Sequence, residues 1–221
     1  MSTLFAVPLG VLTAALALAD WYAVATSRNG LERLVKAPTT VALAATAAVA
    51  GAVDEPAGRW LIVALLLGAV GDAALLGSTR ERFLAGLSAF FAGHLAYLAC
   101  FLTLGLDVPG WSWLWVPLLG VLLVGTRDVV PNAWRHGGPA LAVPVAAYSA
   151  VIGAVLALAW LTGEPWTAAG AAIFALSDSI IGATTFTRSG PRFGDGSPRV
   201  HLAVMVTYYA GQALIAYGVL R

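Results

Sequence analysis

Eight long, uninterrupted apolar runs constrain this chain more than any other feature of it. A helix needs about 20 apolar residues to cross a hydrocarbon core of about 30 Å. Runs near that length cover residues 4–26, 38–53, 59–77, 83–105, 111–126, 140–161, 166–187 and 200–220. Turn-forming sequence separates them, including Arg28-Asn29-Gly30, Asp54-Glu55-Pro56, Asp107-Val108-Pro109-Gly110, Gly137-Gly138-Pro139 and Gly163-Glu164-Pro165. The runs are continuous rather than alternating, and about twice the length of a barrel strand. They predict an all-α, polytopic transmembrane bundle of about eight helices, forming one integral membrane domain over 1–221. Composition agrees. With 60% hydrophobic and 10% charged residues and a mean hydropathy of +0.85, the chain lacks the polar residues that would coat a soluble domain. The single cysteine, Cys100, excludes an internal disulfide framework, and no CxxC or HxxxH zinc spacing occurs. No metal, cofactor or nucleic-acid partner is expected.

The first run has no basic residue before it, only Met1, Ser2 and Thr3, and it is too long for the apolar core of a signal peptide. It is expected to be a retained helix.

Basic residues orient the bundle, because Lys and Arg collect in cytoplasmic loops. The segments after runs one, three, five and seven hold Arg28, Arg33, Lys36, Arg80, Arg82, Arg127, Arg135, Arg188, Arg192 and Arg199, ten of the twelve Lys and Arg residues. Arg59 and Arg221 lie on the other side. Both termini are therefore expected outside the cytoplasm, in the cell (inner or plasma) membrane.

Ionisable groups at membrane depth are costly, about 2.5–3.5 kcal/mol for Asp at a helix centre, so each demands a reason. Asp20, Asp72, Asp178 and His94 lie within runs, with Tyr97, Tyr148, Ser177, Ser179, Tyr208, Tyr209 and Gln212 as neutral polar company. At about 1.5 Å per residue from the cytoplasmic ends, Asp72 lies at about 7 Å and Asp20 at about 9 Å. By the same rise Tyr148 and Tyr208 fall at about 12 Å, Asp178 at about 14 Å, and His94 and Gln212 at about 17 Å. Six helices thus place polar groups in one slab of the cytoplasmic half. Faces agree too: Phe90, His94 and Tyr97 share one side of a helix, as do His201, Met205, Tyr208 and Gln212. Small residues flank both deep carboxyls, Gly68 and Gly71 beside Asp72, and Ala171, Ala175 and Gly182 along the Asp178 stripe.

Blander readings compete. A lone intramembrane histidine is often a packing residue, and Trp111, Trp113, Trp115, Trp160 and Trp166 read as interfacial belt. Asp20 is shallow enough to reach headgroups or to pair with Arg28 or Lys36. Asp72 and Asp178, on separate helices at similar depth, read as walls of a water-filled functional cavity. A short echo between Gly71-Asp72-Ala73 and Ser177-Asp178-Ser179, four helices apart, hints at a parallel repeat.

At these residues the sequence resembles the YhhN-like lysoplasmalogenase family of eight-helix membrane proteins. The resemblance is carried by Lys36 with Pro38-Thr39, by Gly71-Asp72, and by Phe83-x-x-Gly86-Leu87-x-x-Phe90-x-x-x-His94-x-x-Tyr97. Pro144-Val145-x-x-Tyr148, Phe174-x-x-Ser177-Asp178-Ser179 and Tyr208-Tyr209-x-x-Gln212 complete it. It implies hydrolysis of the vinyl-ether bond of a lysophospholipid to a fatty aldehyde and a glycerophospho-base. Enol ethers hydrolyse by protonation at the β-carbon and capture of the oxocarbenium ion by water. That chemistry needs a protonated acid, a group to steer water, and fixed negative charge near the cation. Asp72, Asp178 and His94 are the catalytic candidates. Lys36, Tyr97, Tyr148, Ser177, Tyr208, Tyr209 and Gln212 are the substrate-binding ones.

No Gly-x-Ser-x-Gly elbow supports a covalent serine route. A proton-coupled transporter or channel built on the carboxylate pair is the alternative from another class. An intramembrane aspartyl protease fits less well, since the usual sequence context of its paired aspartates is missing.

Overall fold

A computed structural model describes residues 2–192 and 197–221, with side chains from Phe5 onward. Among the described residues, eight helical spans are long and apolar enough to cross a membrane. The chain is a multi-pass helical membrane protein. In chain order the helices are α1 (Ser2–Ala25), α2 (Asn29–Ala47), α3 (Pro56–Leu75), α4 (Arg80–Leu104), α5 (Trp115–Thr126), α6 (Val129–Gly137), α7 (Pro139–Leu161), α8 (Pro165–Thr185) and α9 (Pro198–Val219). A π-helical turn, Ala48–Ala52, extends α2, and a 3₁₀ turn, Gly110–Leu114, leads into α5. Two strands of two residues, β1 (Phe186–Thr187) and β2 (Gly190–Pro191), pair after α8.

Local chemistry sets the helix ends. Four helices (α3, α7, α8 and α9) begin with Pro in the first turn, where the missing N–H would have no intrahelical partner. Thr79 caps α4 by accepting from Arg82 N–H, and the Arg82 guanidinium donates back to the Ala73 and Ala74 carbonyls at 3.0 and 3.1 Å. This satisfies the C-terminal carbonyls of α3 immediately after Asp72 and fixes the α3–α4 corner. At the opposite membrane face, the π turn of α2 closes on Gly51 with φ of 110°, a conformation that favours glycine.

The structure corrects the sequence reading in two places. The apolar run starting at 38 belongs to a helix that starts at Asn29, so Glu32, Arg33 and Lys36 stand on a helix and not in a loop. The basic segment after the fifth run contains α6, a short amphipathic helix. Its Val129 and Ala133 pack with Phe83, Leu141 and Phe186, while Arg135 and Trp134 are exposed. Asn132 of α6 donates to the Phe186 carbonyl at 3.0 Å, and Arg188 approaches Asp128 at 3.7 Å, so α6 braces the β1–β2 hairpin.

Close helix contacts position the polar groups. Where α8 crosses α9, a Cβ at Gly170 would lie 2.6 Å from Ile215 N, and one at Gly211 would lie 2.8 Å from Phe174 N. The backbones therefore meet directly there, as small-residue interfaces allow. The same logic holds at α3: a Cβ at Gly71 would strike the Phe90 ring at 2.6 Å. In contrast, α5 is peripheral, with Leu122 its one buried residue.

Candidate active site

Among the described residues three carboxylates lie buried in the helical core, each held by a tyrosine hydroxyl. Asp72 Oδ2 accepts from Thr40 at 2.8 Å and from Tyr208 at 2.9 Å, joining α2, α3 and α9. Asp178 Oδ2 accepts from Tyr148 at 3.0 Å and faces His94 Nε2 at 3.1 Å, joining α4, α7 and α8. Asp20 Oδ2 accepts from Tyr209 at 3.0 Å, joining α1 to α9. Burying a polar group without a partner costs a few kcal/mol, so these bonds fix the helices as well as the side chains.

The orientation of His94 is determined on both sides. Its Nδ1 lies 2.7 Å from the Phe90 carbonyl, which can only accept, so Nδ1 carries a proton. Its ring stacks on Phe174 at 5.1 Å and meets Tyr148 edge-on at 5.2 Å. A hydrogen bond between Nε2 and Asp178 Oδ2 at 3.1 Å then needs one proton, carried either by the imidazole or by the carboxyl.

A cavity of about 470 Å³ reaches both Asp72 and Asp178. Its deep wall includes Phe90 and Tyr208, and its mouth carries Glu32, Arg33, Lys36, Arg192 and His201. Glu32 Oε1 lies 3.3 Å from both Lys36 Nζ and His201 Nε2, so the carboxylate sits between two nitrogen groups at the entrance. Among the described residues no three His, Cys, Asp or Glu side chains converge to hold a metal ion.

The remaining sequence candidates divide. Tyr148 and Tyr208 hold the two carboxylates, and Lys36 lines the mouth. Tyr97 is buried behind His94, 6.5 Å ring to ring, with a hydroxyl that has no partner among the described residues. Gln212 is buried likewise, and both atoms of its amide are unpartnered. A Cβ on Gly68 would lie 3.1 Å from that amide nitrogen and from the Tyr208 hydroxyl, so Gly68 leaves room for both. Ser177 does not reach the cavity wall: its hydroxyl donates to the Val204 carbonyl of α9 at 3.0 Å.

The surface reading of Asp20 fails as well. It does not reach headgroups and makes no direct ion pair with Arg28 or Lys36, although the Lys36 charge acts on it. It is fully buried on Tyr209, and Arg28 instead stacks over Tyr22 at 5.3 Å. The usable signal was the adjacent pair Tyr208-Tyr209, two hydroxyls about 100° apart on one helix, which require two different acceptors.

Residues 31–219 match the model of the YhhN family. The chain belongs to the YhhN family. It is 34% identical over 160 residues to human lysoplasmalogenase TMEM86B, covering 72% of this chain and 62% of that protein. It is 33% identical over 195 residues to the lysoplasmalogenase of Mycobacterium bovis, covering 85% of this chain and 70% of that one. The match to the pig TMEM86B lysoplasmalogenase is 36% over 161 residues, 71% of this chain and 61% of the relative. The matched region thus spans about six to seven tenths of these relatives' lengths. No solved structure matches the chain.

Proposed function

We propose that this YhhN-family protein hydrolyses the vinyl-ether bond of lysoplasmalogens, or of a related lyso-ether lipid, to a fatty aldehyde and a glycerophospho-base. The observation that carries the reading is the single cavity reaching both Asp72 and the His94–Asp178 pair beneath a mouth bearing Arg33, Lys36 and Arg192. A phosphate headgroup suits that mouth, and relatives bearing the lysoplasmalogenase name give the chemistry. The transport alternative draws no support from them.

The proton shared by His94 and Asp178 is transferred to the β-carbon of the enol ether. The π electrons form the new C–H bond, and the adjacent ether oxygen stabilises the cation at the α-carbon. Asp72, fixed by two hydroxyls, supplies negative charge and orients the water that adds to that carbon. The proton lost by water returns to the pair; the pair then gives it to the glycerol oxygen as the C–O bond breaks, and the hemiacetal hydroxyl, becoming the aldehyde C=O, returns its proton to the pair. Tyr148 and Tyr208 keep the two carboxylates in place.

Purified protein in detergent, given a lysoplasmalogen panel with headgroup and chain varied, should release aldehyde without any ion gradient. A folded protein that releases none across the panel rejects the reading. We also propose, from the ten-to-two distribution of Lys and Arg, that the cavity opens to the cytoplasm and both termini lie outside. Cysteines placed at the exposed positions Arg135 and Ser189 should then resist an impermeant thiol reagent in intact cells, while one at Asp107 should react. Labelling from outside at Arg135 would reverse the orientation.

A further inference from the structure

A second pocket lies beneath α5, walled by α4, α7 and α8, and differs from the first in chemistry. It shares Leu75, Phe83, Phe90, Asp178 and Ile181 with the polar cavity, so the two meet at the Asp178 carboxyl. Away from that junction the wall is Leu119, Leu122, Leu123, Ile152 and Leu156. The hydroxyls along it are already satisfied within their own helices: Thr126 donates to Leu122, Ser149 to Val145, and Ser179 to Ala175. The pocket therefore offers a ligand no polar group except at the Asp178–Tyr148 end.

An amphiphile whose scissile bond divides a phosphate-bearing half from a hydrocarbon half fits this pair of cavities. We propose that the pocket beneath α5 takes the first carbons of the substrate's alkenyl chain, placing the vinyl ether at Asp178, and that the chain enters from the bilayer between α5 and α7. The proposal rests on the hydrolase reading above and assigns its tail subsite. Size supports a short hold: about 90 Å³ is less than the ~150 Å³ that accepts a benzene ring, so the rest of a long chain must continue outward. The peripheral position of α5 supplies the route. Its Val116, Val121, Leu123 and Val124 are exposed on a helix that buries Leu122 alone, so only the thin contact of Leu119 and Leu122 with Ile152, Gly153 and Leu156 separates the pocket from lipid at this seam. Along α7, Gly153 lies about 7 Å beyond Tyr148, past the first few carbons of a chain whose bond sits at Asp178.

Gly153 is the position to test, because a Cβ there would be in ordinary contact with Leu119 at 3.5 Å, and a larger side chain would fill the pocket. Aldehyde release is compared for a sixteen-carbon and a three-carbon alkenyl lysolipid with the same headgroup. Gly153→Phe should lower the long-to-short ratio of kcat/KM at least tenfold. An unchanged ratio, or equal loss on both substrates, overturns the subsite. A second readout needs no turnover: a non-hydrolysable alkyl-ether lysolipid with a diazirine at the fourth chain carbon is photolysed on wild-type protein. Labelled peptides from 119–126 or 149–156 support the pocket, and labelling confined to α1, α2 and α9 overturns it. If wild-type protein labels at α5 and α7 yet releases no aldehyde from either substrate, the hydrolase reading fails and not the tail site.

Discussion

Asp72 and Asp178 line one cavity, yet their surroundings differ in kind. Asp72 accepts from two hydroxyls, Thr40 and Tyr208, and feels the charge of Lys36 at the cavity mouth. Asp178 meets a hydroxyl and an imidazole, the one side chain that exchanges a proton readily near neutrality. The difference underlies the roles proposed above: two identical carboxyls are distinguished by what faces them, one the proposed fixed charge and one the proposed proton donor.

The largest effect should come from removing the transferable proton. Asp178→Asn leaves His94 facing an amide and should reduce kcat about a thousandfold, within the usual range for general acid–base groups. Asp72→Asn should cost about a hundredfold, because it removes charge and water orientation but no proton. Aldehyde release by folded variants measures both, and equal losses would erase the distinction drawn between the two centres.

The wild-type kcat should next follow a bell-shaped pH profile. It should fall in acid, where Asp72 loses the charge it supplies, and in alkali, where the His94–Asp178 pair has lost the proton it donates. Asp72→Asn should keep the alkaline limb, since the His94–Asp178 pair remains. A flat profile across pH 5–9, with chemistry rate-limiting, rejects acid–base catalysis by the pair.

Smaller effects separate the two tyrosines. Tyr148→Phe and Tyr208→Phe each remove one hydrogen bond to a buried carboxylate, worth about 1.5–3 kcal/mol. Both should slow turnover by about tenfold, but only Tyr148→Phe should shift the alkaline limb of the profile. The smallest change in rate is expected at the third carboxylate: Asp20→Asn should leave kcat within about threefold and lower stability by about 1–2 kcal/mol through the Tyr209 bond. Thermal unfolding in detergent measures it, and a hundredfold loss of rate would bring Asp20 into the mechanism.

Much of this site was legible from residue spacing, for a physical reason. A carboxyl within twenty apolar residues is expensive, so Asp72 and Asp178 stand out, and helical periodicity places Phe90, His94 and Tyr97 on one face. The rest depends on how helices are rotated against each other. Ser177 neighbours Asp178 in sequence yet turns toward α9, and nothing in its own segment says so. Glu32, Arg33 and Lys36 lower the hydropathy of their segment enough to read as loop, although they form the first turns of α2. The α6 helix is too short and too polar to register as a span, and its role emerges only against the hairpin it supports.

Tyr208 and Tyr209 are neighbours in the chain but grip carboxylates on opposite flanks of α9, Asp72 on α3 and Asp20 on α1. Successive residues on a helix point about 100° apart, so turning α9 about its axis to release one hydroxyl must drag the other. The helix behaves as a keyed shaft between two sockets, and the backbone contact at Gly170 and Gly211 holds it against α8. On the proposed tail route a lipid would therefore pass beside α5, which buries Leu122 alone, and not past the doubly anchored α9.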